Sequence, residues 1–170
     1  HLRIIELSRF FHDSFFLVMF REPISHANSL LKLHKNLLEI HKKDKFVLEY
    51  MNLIGHWEFG YGKKPFIYKK EQELIIKSFS PNDLNYWINQ WIFTYEWILQ
   101  ILKKNETANI KLVCYEDLCE KNKYLHNLFN FLSLDINQNK FQFRLGKSNN
   151  EEYTKDLNNE YLEKANETYK

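Results

Sequence analysis

Six apolar residues in succession, Phe15 to Phe20, run directly into Arg21-Glu22-Pro23 and from there into a helical pattern. A run this short and this uniformly apolar predicts a strand buried on both faces rather than a helix. Pro23 suits the first position of a helix, where its missing N–H would have had no partner. Ala27, Leu30, Leu31, Leu37 and Leu38 then supply a core stripe reaching roughly to His41. A strand that feeds a helix through so short a turn belongs to a parallel sheet, because parallel neighbours need a crossover connection. The chain is thereby directed towards an α/β fold with a central parallel sheet.

The rest of the chain supports that class. Leu2 to Phe11 carries a short helical pattern, and 44–79 reads as irregular or short-helical chain rich in rings, with three of the four glycines. Ser80-Pro81-Asn82-Asp83 has the spacing of a helix-capping signature. Leu84, Trp87, Ile88, Trp91, Ile92, Tyr95, Ile98, Leu99 and Leu102 follow at helical spacing through Lys104, and the match of that stripe to burial marks it as core. Asn109 to Tyr115 predicts a second strand, closed by Glu116-Asp117-Leu118 before a helix with Leu125, Leu128, Phe129 and Leu132 on one face. A polar loop is expected over 135–150, and a terminal helix through Leu157, Tyr161, Ala165 and Tyr169. No internal repeat and no Pro- or Ser-rich linker divides the 170 residues, so a single domain, 1–170, is the simplest organisation.

The charge balance, 24 basic against 22 acidic residues, provides no broad cationic face and argues against nucleic acid as a partner. No stretch of about eighteen apolar residues suggests a membrane span, and the N-terminal residues lack the pattern of a signal peptide. Two cysteines, Cys114 and Cys119, are too few for a disulfide framework. A soluble protein of a reducing, cytoplasmic compartment is expected.

Arginine is scarce, at Arg3, Arg9, Arg21 and Arg144, with lysine supplying the other 20 positive charges. An Arg at a strand end, followed by Ser29 early in the next helix, is suited to holding an anion through a planar, bidentate fork. Ser25, one turn earlier, could touch the same anion or face water. The competing use of Arg21 is an ion pair with Glu22 or Asp117. Glu116 and Asp117 fit capping and hydrogen bonding better than acid/base catalysis, since neighbours on a strand end point apart. His26, His34 and His41 recur at intervals of eight and seven, wider than metal sites use, and read as structural or solvated; no metal site is expected.

Two segments together resemble the paired signatures of sulfotransferases that use 3'-phosphoadenosine 5'-phosphosulfate (PAPS). Phe20-Arg21-Glu22-Pro23, with Ser29 eight residues after the Arg, is similar to that family's Arg-Asp/Asn-Pro motif with its Ser. Tyr115-Glu116-Asp117-Leu118, before a helix closing on Phe131-Leu132, is similar to its Tyr-Glu-Asp-Leu strand end and Phe-Leu-Gly helix. Glu22 and Ser133 depart from the usual residues, and Phe11-His12-Asp13-Ser14 lacks the proline of the family's turn.

The resemblance implies a P-loop-NTPase-like three-layer fold with a central parallel sheet, incomplete at its N-terminus. No Gly precedes Gly55, so the chain looks like the C-terminal portion of a longer enzyme whose Gly-containing loop would hold the 5'-phosphosulfate; alone it would not be expected to turn over substrate. The implied reaction moves a sulfuryl group from PAPS to a hydroxyl or amine acceptor, which could be a small molecule, a glycan, a lipid or a tyrosyl peptide. Arg21 and Ser29 would contact the cofactor's 3'-phosphate and Tyr115 its adenine. Arg144 and Lys147, around Gly146, would correspond to the family's phosphate-closing loop, although the order Arg-Leu-Gly-Lys differs from Arg-Lys-Gly. His1 is the candidate for the catalytic base. The alternatives are a non-catalytic nucleotide-binding or protein-interaction module on the same scaffold, engaging a partner through Tyr50 to Tyr68, and a P-loop-like enzyme such as a nucleotide kinase.

Overall fold

The computed structural model describes residues 3–104, 109–120, 122–135 and 157–170. The chain divides into two compact units, one drawn from His1–Glu22 and Ile98–Ser148, the other from Pro23–Trp97 and Asn149–Lys170.

In the first unit, helix α1 (Ile4–Phe10) precedes strand β1 (Phe16–Phe20), which pairs in parallel with β2 (Ile110–Cys114). The register runs from Phe16 opposite Ile110 to Phe20 opposite Cys114, so both strands end level. Asn109 fixes the entry to that pairing. Its side-chain amide donates to Ser8 O (3.2 Å) and Ser14 O (3.0 Å), while its carbonyl accepts Phe16 N–H at 2.8 Å. Beyond β2 come α6 (Tyr115–Glu120) and α7 (Asn122–Phe131). Val113, Leu118, Leu125, Leu128 and Phe129 form their common core. The Tyr124 hydroxyl reaches back from α7 to accept Cys114 N–H (3.2 Å) and donate to Leu112 O (3.5 Å).

The fold is therefore mixed helix and strand, with two parallel strands among the described residues. β1 differs from the sequence expectation in being exposed at every second residue, with Leu17 40% and Met19 49% exposed. A uniformly apolar strand is buried on both faces only where other elements cover both. Here Val113, paired with Met19, is buried by α6 and α7, and that cover does not extend to the Leu17–Met19 side of β1.

In the second unit, α2 (Pro23–Lys43) begins at its proline, as expected. It has no internal Gly or Pro, which accounts for its 21-residue length. Its buried stripe is not the leucine stripe anticipated. Ala27 and Leu31 are buried, but the stripe continues through His34 and His41, while Leu37 and Leu38 stay half-exposed. Two short helices organise the ring-rich stretch: α3 (Lys45–Leu53), capped by Asp44 Oδ1 accepting Phe46 N–H at 2.9 Å, and α4 (Lys70–Lys77).

The long helix α5 (Leu84–Lys104) matches its expected bounds, and Leu84, Trp87, Ile88, Trp91, Ile92 and Ile98 of its stripe are buried. Asp83 caps it by accepting Asn85 N–H (2.8 Å), whereas Ser80 Oγ closes a turn on Asn82 N–H (3.2 Å). Asn85, Asn89 and Gln90 are buried with the apolar residues, and each has a specific partner. Gln90 takes both backbone groups of Phe66, accepting its N–H at 2.7 Å and donating to its carbonyl at 3.0 Å, so a side-chain amide replaces a neighbouring strand. The terminal helix α8 (Asn159–Tyr169) packs Ala165, together with Leu157 just before it, into the core around α5. Most of the polar loop expected over 135–150 lies outside the described residues.

Candidate anion-binding site at the strand ends

Level parallel strands place the residues that follow them side by side. Arg21 follows Phe20 and Tyr115 follows Cys114, at the carboxyl edge of the sheet where ligands of open α/β proteins collect. Tyr115, expected as the last residue of the strand, is instead the first of α6. The Arg21 guanidinium carbon lies 5.4 Å from the centre of the Tyr115 ring, within cation–π range.

The ion-pair partner of Arg21 is Glu116, with Nε 3.8 Å from Oε1 and both side chains about three-quarters buried, at 23% and 22% exposed. This differs from the Glu22 or Asp117 pairing considered from sequence. The reason is the register: the residue two beyond Cys114 comes against the residue one beyond Phe20, across the pair rather than along the chain. Glu116 also accepts Glu22 N–H at Oε1 (3.2 Å) and the Cys114 thiol at Oε2 (3.5 Å), so it fastens the turn after β1 to the end of β2. At 3.8 Å the contact with Arg21 is electrostatic, not a hydrogen bond. Arg21 Nε is buried and has no hydrogen-bond acceptor among the described residues. A buried guanidinium nitrogen left in this way is suited to an oxyanion.

Burial, together with hydrogen bonding to Cys119, pushes the Tyr115 phenol above its ordinary pKa, and the Arg21 cation opposes that rise. Cys114 and Cys119 are both free thiols. Sequence reasoning passed over Glu116 as the partner of Arg21, and Cys119 as a neighbour of Tyr115. The parallel register, had it been assumed with level ends, would have pointed to the first of these.

Ser29 lies on α2 in the second unit, where its exposed hydroxyl donates to Ser25 O at 2.8 Å. Ser25 itself is buried, which removes the solvent-facing role. Arg144, Lys147 and His1 lie outside the described residues. Among the described residues, no group of three or more His, Cys, Asp or Glu side chains is placed to hold a metal ion, and no helix is long and apolar enough to cross a membrane. Comparison of the chain with family models, with curated proteins and with solved structures finds no match.

Proposed function

We propose that the chain is the 3'-phosphate-binding part of a PAPS-dependent sulfotransferase acting on a hydroxyl or amine acceptor. The observation that carries the reading is the buried Arg21 Nε, without an acceptor among the described residues, next to the Tyr115 ring at the carboxyl ends of two parallel strands. A bound PAPS would supply the activated sulfuryl group; the roles of this chain's residues are to bind and orient. Arg21 offers a planar fork of donors to a phosphate, and the Tyr115 ring offers an apolar face to a purine. Ser29 takes its role from the motif, and to donate to a phosphate its hydroxyl must leave Ser25 O, exchanging one hydrogen bond for a charge-assisted one. Arg144 and Lys147 belong to the same reading through their motif alone, as does the three-layer sheet.

The test is calorimetric titration of 3'-phosphoadenosine 5'-phosphate into the chain and into Arg21→Ala. Loss of charge-assisted hydrogen bonds worth about 1.5–3 kcal/mol predicts about 10- to 150-fold weaker binding by the variant. Equal affinities would remove Arg21 from the site, and a preference for ATP would favour a nucleotide kinase.

One observation favours a second reading, a non-catalytic module that binds a partner protein. Helix α3 has no buried residue and exposes Phe46 (70%) and Leu53 (84%), with Tyr50 stacked on Phe46. In that case Phe46→Ala with Leu53→Ala would abolish partner binding while leaving nucleotide affinity unchanged.

A further inference from the structure

The three histidines of α2, at spacings wider than metal sites use, find a different role at two of their positions. His34 and His41 are each 3% exposed and lie two helical turns apart on one face. His34 Nδ1 accepts Gly60 N–H at 3.1 Å, and His41 Nδ1 accepts the next amide, Tyr61 N–H, at 3.3 Å. The other nitrogen of His41, Nε2, lies 3.1 Å from Met51 Sδ on α3. An imidazole nitrogen can accept only when it carries no proton, so both rings must be neutral with the hydrogen on Nε2. The tautomer follows from the backbone donors, which have no alternative.

Gly60 is the residue that makes the approach possible. Its φ of +73° is left-handed, and a Cβ added there would lie 2.3 Å from His41 Cε1 and 2.4 Å from Nδ1. The turn is pressed against the rings and held by two consecutive amides.

From these contacts we infer that His34 and His41 form a proton-sensitive latch that holds the Gly60–Tyr61 turn on α2 and releases it on acidification. A proton added at Nδ1 would point at the amide N–H it now accepts, turning each hydrogen bond into a donor–donor clash in a buried setting. The charged neighbours reinforce the response. Lys63, in the same segment as the turn, and Lys35, on α2, are the cations whose charge acts on His34, and the Trp87 ring of α5 lies 5.6 Å from it. Around His41 stand Met51 and the Tyr61 ring, at 6.2 Å. Neither histidine has a carboxylate within ion-pair distance among the described residues to stabilise its charged form. Burial first, then the two lysines, lower the pKa of His34 below its ordinary 6.5. Its contribution is therefore complete above pH 6.5 and is lost as pH falls from there through the lowered folded value.

The inference is independent of the sulfotransferase reading, since it concerns α2 and one turn of the ring-rich segment. It is tested on the unmodified chain by nitrogen-15 NMR of the imidazoles, together with amide-exchange protection factors, between pH 7.5 and 4.5. The expected result is two neutral Nε2–H rings at pH 7.5. Protection of Gly60 and Tyr61 should then fall at least ten-fold as the rings become protonated, while Ile88 and Ile92 in α5 keep theirs. In Lys63→Met, the His34 transition should move to higher pH, because a repelling cation is gone. Protonation of the rings with both amides still protected would overturn the latch, as would rings that stay neutral throughout or amides that open while the rings are neutral.

Discussion

Glu116→Gln separates the ion pair of Arg21 from its proposed role in binding an anion. The substitution keeps the shape of the side chain and an oxygen that can accept Glu22 N–H, now at 3.2 Å; it removes the charge opposite Arg21 and, with it, the second oxygen that accepts the weak Cys114 thiol donor at 3.5 Å. At the observed 3.8 Å, the attraction between unit charges lies between ~1 kcal/mol with the screening of water and ~4 kcal/mol at an effective dielectric near 20. Desolvation of both partners offsets much of this, so a net loss of about 0.5–1.5 kcal/mol in folding stability is expected. Affinity for a phosphate should change in the opposite direction. A dianion accepting from Arg21, about 6 Å from the carboxylate, would be repelled by ~1.4 kcal/mol even at the dielectric of water. Removing that repulsion tightens binding about ten-fold. Urea denaturation paired with calorimetry using 3'-phosphoadenosine 5'-phosphate reads both quantities in one protein. A variant that loses stability and binds no more tightly would show that Arg21 and Glu116 are a structural pair, and the anion-site argument would fail.

Three further outcomes are expected. Gly60→Ala combines a left-handed φ with a Cβ forced onto the His41 ring, so urea denaturation should show a loss of about 2–4 kcal/mol; a loss under 1 kcal/mol would mean that the turn is not pressed on the helix. Gln90→Ala removes the side-chain amide that bonds both backbone groups of Phe66 and should cost about 1–3 kcal/mol, with faster exchange at the Phe66 amide as the local sign; unchanged exchange there would contradict the pairing. Lys63 has its pKa lowered to about 8 by burial among the Phe66, Tyr86 and Trp87 rings. Between pH 8 and its ordinary 10.5 the unfolded chain binds the extra proton, so stability should rise with pH across that window. Lys63→Met should flatten the rise, and identical pH profiles for the two proteins would refute the assignment.

Much of the fold was legible wherever a single period dominated. The stripe from Leu84 to Leu102 specified α5 because one face is apolar at every turn, and the two apolar runs specified β1 and β2. What could not be read was burial that depends on cover. Phe15 to Phe20 is equally apolar at every position, so nothing in the run distinguishes Leu17 and Met19, which are exposed, from their neighbours. The helical stripe of α2 was misread for the opposite reason. Histidine is amphipathic enough to be buried when a backbone donor meets it, and the donors at Gly60 and Tyr61 are far away in sequence. For the candidate site, Arg21 was singled out by its position at a strand end and Tyr115 by the family resemblance. Glu116 was not paired with Arg21, since its role depends on the level register of two strands about ninety residues apart in sequence, a quantity that neither strand encodes alone.

That level register also makes the strand ends sensitive to counting. Side chains on a strand alternate between faces, with about 3.3 Å of rise per residue. Inserting one residue between Phe20 and Arg21 would leave every ladder pair from Phe16–Ile110 to Phe20–Cys114 intact, yet would turn the guanidinium away from the Tyr115 ring and Glu116. Such a chain would keep its sheet and lose its charge cluster. The length of this junction therefore matters as well as the identity of its residues, and a single-codon insertion there would test the proposed anion site without changing any of its side chains.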